Sequence, residues 1–136
     1  MRAVLIDAGP LVALLDRSDD RHEEIVEALK RIHDPLVSVW PALVEAMYLL
    51  SFSWRAQKAL WEMVETGTIS LLPLETADIA PMKNLMEKYQ DLPMDMADAA
   101  LVRIAEREGI RRILTLDHRD FSVYRFARKG SFTLLP

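Results

Sequence analysis

The chain contains no cysteine. Disulfides, thiolate zinc sites, iron–sulfur clusters and cysteine nucleophiles are thereby excluded, and the lack fits a cytoplasmic protein. No apolar run approaches the roughly 18–20 residues of a membrane span. The opening Arg2-Ala3-Val4-Leu5-Ile6-Asp7 is too short an apolar stretch for a signal peptide and meets an acid at once. Repeats, linkers and low-complexity stretches are missing too. What remains is 136 residues, 51% hydrophobic and 28% charged. That is the size and composition of one soluble globular domain, taken here as residues 1–136.

An excess of positive charge is also lacking: the net charge is −4. Bulk charge alone would not hold this protein on nucleic acid. The distribution is uneven, however. Eight of the 17 basic side chains fall in residues 101–136, against four of the 21 acidic ones. Arg111, Arg112, Arg119, Arg125 and Arg128 belong to this basic end. They serve either as solubilising and helix-terminal charge or as a landing patch for a polyanion such as RNA.

Short apolar runs alternate with helical patterns. Arg2–Ile6, Leu36–Val39, Ile69–Leu72, Arg112–Leu116 and Phe132–Leu135 read as strands. Helices are expected over 11–15 behind Pro10, 21–33 capped by Asp19 or Asp20, and 41–50 opened by Pro41. Others follow over 54–66 capped by Ser53, 77–90, and 95–108 stopped by Gly109. Asp78 reads as a further cap. Strands alternating with helices imply a parallel sheet covered on both faces. Such sheets place functional groups beyond the carboxyl ends of their strands.

Most acids lie on polar helix faces. Asp7, Glu45 and Asp98 do not: each is embedded in an apolar segment, and neither Glu45 nor Asp98 has a basic residue three or four positions away. An ionised carboxylate among apolar groups is costly without a compensating cation. Asp95 shares a helix face with Asp98 and is either a helix cap or a further ligand. A structural ion pair with a distant arginine is the competing account of Asp98. Asp117 ends a strand. Four or five acids at strand ends and helix starts suggest a site for a hard divalent cation, Mg²⁺ or Mn²⁺. The histidines, His22, His33 and His118, lack zinc-ligand spacing and read as surface residues.

These segments resemble a known family. Val4-Leu5-Ile6-Asp7-Ala8-Gly9-Pro10-Leu11, Trp40-Pro41-Ala42-Leu43-Val44-Glu45-Ala46, Asp95-Met96-Ala97-Asp98-Ala99 and Thr115-Leu116-Asp117-His118-Arg119-Asp120-Phe121 occur in order along the chain. Together they are similar to the four acidic motifs of PIN domains, most closely the VapC-type toxin ribonucleases. The resemblance implies an α/β/α sandwich around a five-stranded parallel sheet and Mg²⁺- or Mn²⁺-dependent endonuclease activity on RNA. It implies Asp7, Glu45, Asp98 and Asp117 as catalytic metal-site acids, Asp95 as a variable one, and Thr115 as a supporting hydroxyl. It also implies 5′-phosphate and 3′-hydroxyl products, a homodimer, and an antitoxin as a possible partner. Many relatives carry Ser or Thr where this chain has Ala8, which removes a hydrogen bond near the metal but no ligand.

Other readings fare worse. A haloacid-dehalogenase phosphatase would need an acid at the position of Gly9. A phosphorelay receiver would need an acidic pair after the first strand. A PIN domain that binds RNA or protein without cutting remains the alternative from another class. Trp54 and Trp61, seven residues apart with Met47, Tyr48 and Phe52 nearby, form either a buried core stripe or a docking face for a second copy or an antitoxin helix.

Overall fold

The computed structural model describes residues 2–126 and 130–136. Its centre is β1 (Val4–Ile6), three residues with no exposed surface. A strand alternates its side chains between faces, so a strand this apolar needs cover on both sides. Val4 and Ile6 join one core and Leu5 the other. β2 (Leu36–Ser38), β3 (Ile69–Leu71), β4 (Arg112–Leu114) and β7 (Thr133–Leu135) complete a five-stranded sheet in the order β3-β2-β1-β4-β7. Every pairing in it is parallel. This is the expected α/β sandwich with its five-stranded parallel sheet.

One face is covered by α1 (Ala8–Leu15), α2 (His22–Arg31), α3 (Trp40–Leu49) and α4 (Trp54–Glu65). The other is covered chiefly by α5 (Ile79–Lys88), α6 (Met96–Glu108) and α7 (His118–Val123). α6 buries seven side chains, four of them alanines, and packs beside both α3 and α5. The small alanines let these helices approach closely, which brings Glu45 of α3 toward the start of α6. Gly109 ends α6 in the left-handed conformation, φ +68°, where a side chain would be strained.

The chain winds from β1 through β2 to β3 on one side, then crosses to β4 and β7 on the other. The direction reverses between β1 and β4. In open α/β sheets the ligand crevice lies at the carboxyl ends of the strands at this switch point.

Local differences from the sequence reading have physical causes. α2 starts at His22 with Arg21 at its cap position, because the Asp19 carboxylate accepts the Arg21 amide in a preceding turn (2.8 Å). α1 begins three residues earlier than expected because Asp7 itself caps it. α7 and a small hairpin, β5 (Arg125–Phe126) with β6 (Gly130–Ser131), were not expected from periodicity. At six and two residues they are too short to show one.

Candidate metal centre

Asp7 ends β1 and caps α1, its Oδ1 accepting the Ala8 amide at 2.8 Å. Its Oδ2 accepts the hydroxyl of buried Thr115 at 3.0 Å, and the same hydroxyl accepts the Asp117 amide at 3.0 Å. Thr115 thus ties the acid of β1 to the acid following β4. Buried Ser38, at the end of β2, donates to the Ile6 carbonyl at 2.8 Å and steadies the strand just before Asp7.

Two helices then use the same device. Asp95 caps α6 by accepting the amide of Asp98 at 2.8 Å, and Asp117 caps α7 by accepting the amide of Asp120 at 3.1 Å. Each cap therefore delivers a second acid into the first helical turn. The partial positive charge of a helix N-terminus makes such crowding tolerable. Glu45 reaches the same place from α3. Asp7, Glu45, Asp95, Asp98, Asp117 and Asp120 line one cleft of about 360 Å³. Oxygen atoms of Asp98, Asp117 and Asp120 lie within 4.8 Å of one another. Asp120 was missed by the sequence reading, although Asp117-x-x-Asp120 repeats the spacing of Asp95-x-x-Asp98.

Among the described residues none of these six acids forms an ion pair within 4.0 Å. Burial, with Asp95 and Asp117 nearby, lifts the Asp7 carboxyl to a pKa of about 6. Burial and three acidic neighbours lift Asp98 to about 8, against the lowering effect of the Tyr124 hydroxyl that it accepts at 2.8 Å. Glu45 and Asp120 are also raised, burial being the main cause for each. Folding therefore raises the proton affinity of these acids. Their contribution to metal-free stability is fully present below about pH 4, the ordinary carboxylate range, and is lost as pH rises from there through about 6 for Asp7 and about 8 for Asp98. Melting temperatures in EDTA should fall between pH 5 and pH 8.5, and saturating Mn²⁺ should flatten that decline.

The ion-pair account considered for Asp98 belongs instead to Asp78. That side chain is 1% exposed and accepts Arg103 Nε and Arg107 Nη1, each at 2.7 Å. It also accepts the Glu75 amide, the return bond of a capping box on the short 3-10 turn before α5. It stands at the cap position of α5 but makes no cap hydrogen bond to that helix, because its oxygens are taken by the turn and the two arginines. Burial opposes the charge, but the Glu75 amide and the two guanidiniums together hold its carboxyl below the usual range.

The basic end divides. Arg111 and Arg112 lie at the amino end of β4, with Arg112 paired to Asp34 before β2. The acids lie beyond the opposite, carboxyl end, so Arg111 and Arg112 do not join the cleft. Arg125 directs Nη1 to the carbonyls of Ser122, Val123 and Tyr124, closing α7. Arg119 is exposed on α7 between Asp117 and Asp120. Arg128 lies outside the described residues. Two histidines are structural ties rather than surface groups: His22 Nδ1 lies 2.7 Å from the Ala13 carbonyl oxygen, and His118 Nε2 lies 3.2 Å from that of Leu135.

The core-stripe reading of the tryptophans is overturned. Tyr48, Phe52 and Trp54 are 75%, 66% and 66% exposed, and Trp61 is 44% exposed. An apolar groove of about 810 Å³, lined by Trp40, Val44, Leu74 and Met96, meets the acidic cleft at Glu45 and Asp95.

The fold and the cleft define a class of protein: an α/β sandwich with clustered carboxylates at its topological switch point. The family model described as PIN domain matches residues 4–127. Ribonuclease VapC26 of Mycobacterium tuberculosis is 33% identical over 135 residues, spanning 98% of this chain and all of that protein. The chain belongs to the PIN-domain family.

Solved structures share the fold at lower identity. Mycobacterium tuberculosis VapC20, described as a sarcin–ricin loop cleaving toxin, superimposes with a TM-score of 0.78 at 14% identity, covering 85% of this chain and 91% of its own. VapBC2 of Rickettsia felis, bound to a DNA fragment from its promoter, gives 0.67 at 11% identity, covering 98% and 99%. A toxin–antitoxin complex from Klebsiella pneumoniae gives 0.68 at 17% identity, covering 88% and 91%. Among the described residues no helix is long and apolar enough to cross a membrane.

Proposed function

We propose that this PIN domain is a Mg²⁺- or Mn²⁺-dependent endoribonuclease and the toxin of a toxin–antitoxin pair. The observation that carries the reading is the meeting of Asp98, Asp117 and Asp120 with Asp7 in a cleft where, among the described residues, none of them is ion-paired. An all-carboxylate donor set suits a hard divalent cation and not zinc or copper. The ribonuclease relative at 33% identity supports RNA as the substrate.

When bound, such an ion supplies a water of lowered pKa and neutralises charge on the scissile phosphate. Asp7, Asp98, Asp117 and Asp120 would hold it, with Asp95 as a further candidate ligand beside them. Glu45, half-buried at the mouth of the cleft, is placed to orient the attacking water and take its proton. Water adds to phosphorus, giving up its proton to Glu45, while the bond to the 3′ oxygen breaks and that oxygen takes a proton from solvent, leaving 5′-phosphate and 3′-hydroxyl ends. Thr115 keeps Asp7 and Asp117 in register. Arg119 supports contact with the RNA backbone near the cleft, which the acids would otherwise repel. A cytoplasmic location accords with an RNA substrate.

The exposed face of Tyr48, Phe52, Trp54 and Trp61 supports a protein partner. An antitoxin and a second copy of the chain both fit it; the solved toxin–antitoxin complex from Klebsiella pneumoniae, which shares this fold, supports the former.

Incubating the purified protein with structured RNA tests the proposal. Cleavage should require Mg²⁺ or Mn²⁺, fail in EDTA, and be weak with Ca²⁺, whose larger radius and looser geometry suit it poorly to this chemistry. Equal cleavage in excess EDTA contradicts the metal mechanism. RNA binding without cleavage in any of these ions returns the non-cleaving alternative.

A further inference from the structure

Tyr124 follows α7 and is fully buried, packed edge-on against Phe121 and Tyr89, each with ring centroids 5.1 Å away. Phe132 extends the cluster at 5.6 Å from Phe121. The Tyr89 hydroxyl accepts the Arg125 amide at 2.9 Å, fixing the backbone immediately after Tyr124. Little freedom is left to the Tyr124 ring. Phenylalanine would pack here equally well, and burying a hydroxyl is unfavourable unless it is hydrogen-bonded. This hydroxyl donates to Asp98 Oδ2 at 2.8 Å.

The surroundings of buried Asp78 and partly buried Asp98 make an informative contrast. Asp78 meets two guanidiniums, which neutralise it. Asp98 meets a neutral donor, which orients the carboxylate without cancelling its charge. A neutral hydrogen bond to one oxygen leaves both the negative charge and the other oxygen available to a cation. Removing a group that orients a metal ligand in this way typically costs about 10–100-fold in metal affinity or activity.

We propose that Tyr124 is a positioning residue for the metal centre: its rigidly packed hydroxyl holds one oxygen of Asp98 so that the other serves the ion. The inference rests on the metal-dependent reading above. Tyr124 acts through Asp98 and touches neither metal nor RNA.

Calorimetric titration with Mn²⁺ tests it on the wild type, Tyr124→Phe and Tyr89→Phe. The first variant loses the bond to Asp98; the second loses the bond to the Arg125 amide in the same aromatic cluster. Melting in EDTA verifies that each is folded. Tyr124→Phe should weaken Mn²⁺ binding about 10-fold or more, and Tyr89→Phe less than about twofold. The Mn²⁺ concentration for half-maximal RNA cleavage should rise in Tyr124→Phe, with most of the rate restored at saturation. Unchanged Mn²⁺ affinity in Tyr124→Phe overturns the inference, as does an equal loss in Tyr89→Phe, which would mark a packing effect. Absence of Mn²⁺ binding by the wild type would overturn the metal reading itself, a result distinct from either.

Discussion

Asp98→Asn should reduce RNA cleavage by about 100-fold or more while leaving the metal-free protein essentially as stable as wild type at pH 7. The first expectation follows from the cluster: groups that merely orient ligands change metal affinity or activity by about 10–100-fold, and a ligand should exceed them. The second follows from the environment of Asp98. Burial and acidic neighbours raise its pKa to about 8, so without metal the carboxyl is largely neutral at pH 7. Asparagine is neutral as well, has nearly the same shape, and can still accept the Tyr124 hydroxyl. Above pH 8 the wild type must ionise Asp98 beside Asp7, Asp95 and Asp117, whereas the variant need not. At pH 9 in EDTA the variant should therefore melt higher than wild type. Stabilisation by added Mn²⁺ should shrink at every pH. A large loss of metal-free stability with cleavage intact would remove Asp98 from the site.

Asp78→Ala should do the reverse. It strips Arg103 and Arg107 of their shared partner and leaves two half-buried guanidiniums less well compensated. Breaking a buried ion pair from one side costs about 3 kcal/mol or more. For a chain of this length that is a fall of roughly 10 °C in melting temperature. Glu106 and Glu108 still engage Arg103 and Arg107, which keeps the loss toward the lower end of the range. Asp78 lies outside the acidic cleft, so Mn²⁺ affinity and cleavage per folded molecule should be unchanged. A variant of normal stability, or one with impaired Mn²⁺ binding, contradicts this division between a structural acid and the metal-site acids.

The two substitutions also show what was legible in the sequence. Asp78 is buried and Asp98 partly so, yet only Asp98 stood out, because its neighbours in sequence are apolar and offer no cation. Asp78 sits beside Glu75 and Thr76 in a segment resembling an ordinary cap, and its arginines are 25 and 29 residues away. Pairing across such separations follows from the packing of α5 on α6, which local patterns do not encode. Strand and helix positions were readable because the strands are short continuous apolar runs and the helices repeat apolar residues at helical spacing. The failures occurred where that signal is absent. α7 has six residues and two strands of the hairpin have two each.

Among the cleft acids, Asp7, Glu45 and Asp98 were identifiable as charges out of place, and Asp117 as the acid that ends a strand. Asp120 was hidden by its polar neighbours, and Tyr124 by the ordinary look of an aromatic in a core. The basic end misled for a geometric reason. Arg112 and Asp117 are five residues apart in sequence but stand at opposite ends of β4 and its extension. Composition counts such residues together; a strand separates them. The tryptophan pair was ambiguous because helical spacing describes a stripe without saying whether another element covers it. Here, among the described residues, none buries it fully.

Crystals of the protein soaked in Mn²⁺ and measured at a wavelength where manganese scatters anomalously test the central claim most directly. The account predicts an anomalous peak in the cleft, with carboxylate oxygens of Asp98, Asp117 and Asp120 or Asp7 about 2.0–2.3 Å from it, and loss of the peak in Asp98→Asn. An empty cleft at a Mn²⁺ concentration that supports RNA cleavage, or a peak held by other residues, would contradict it.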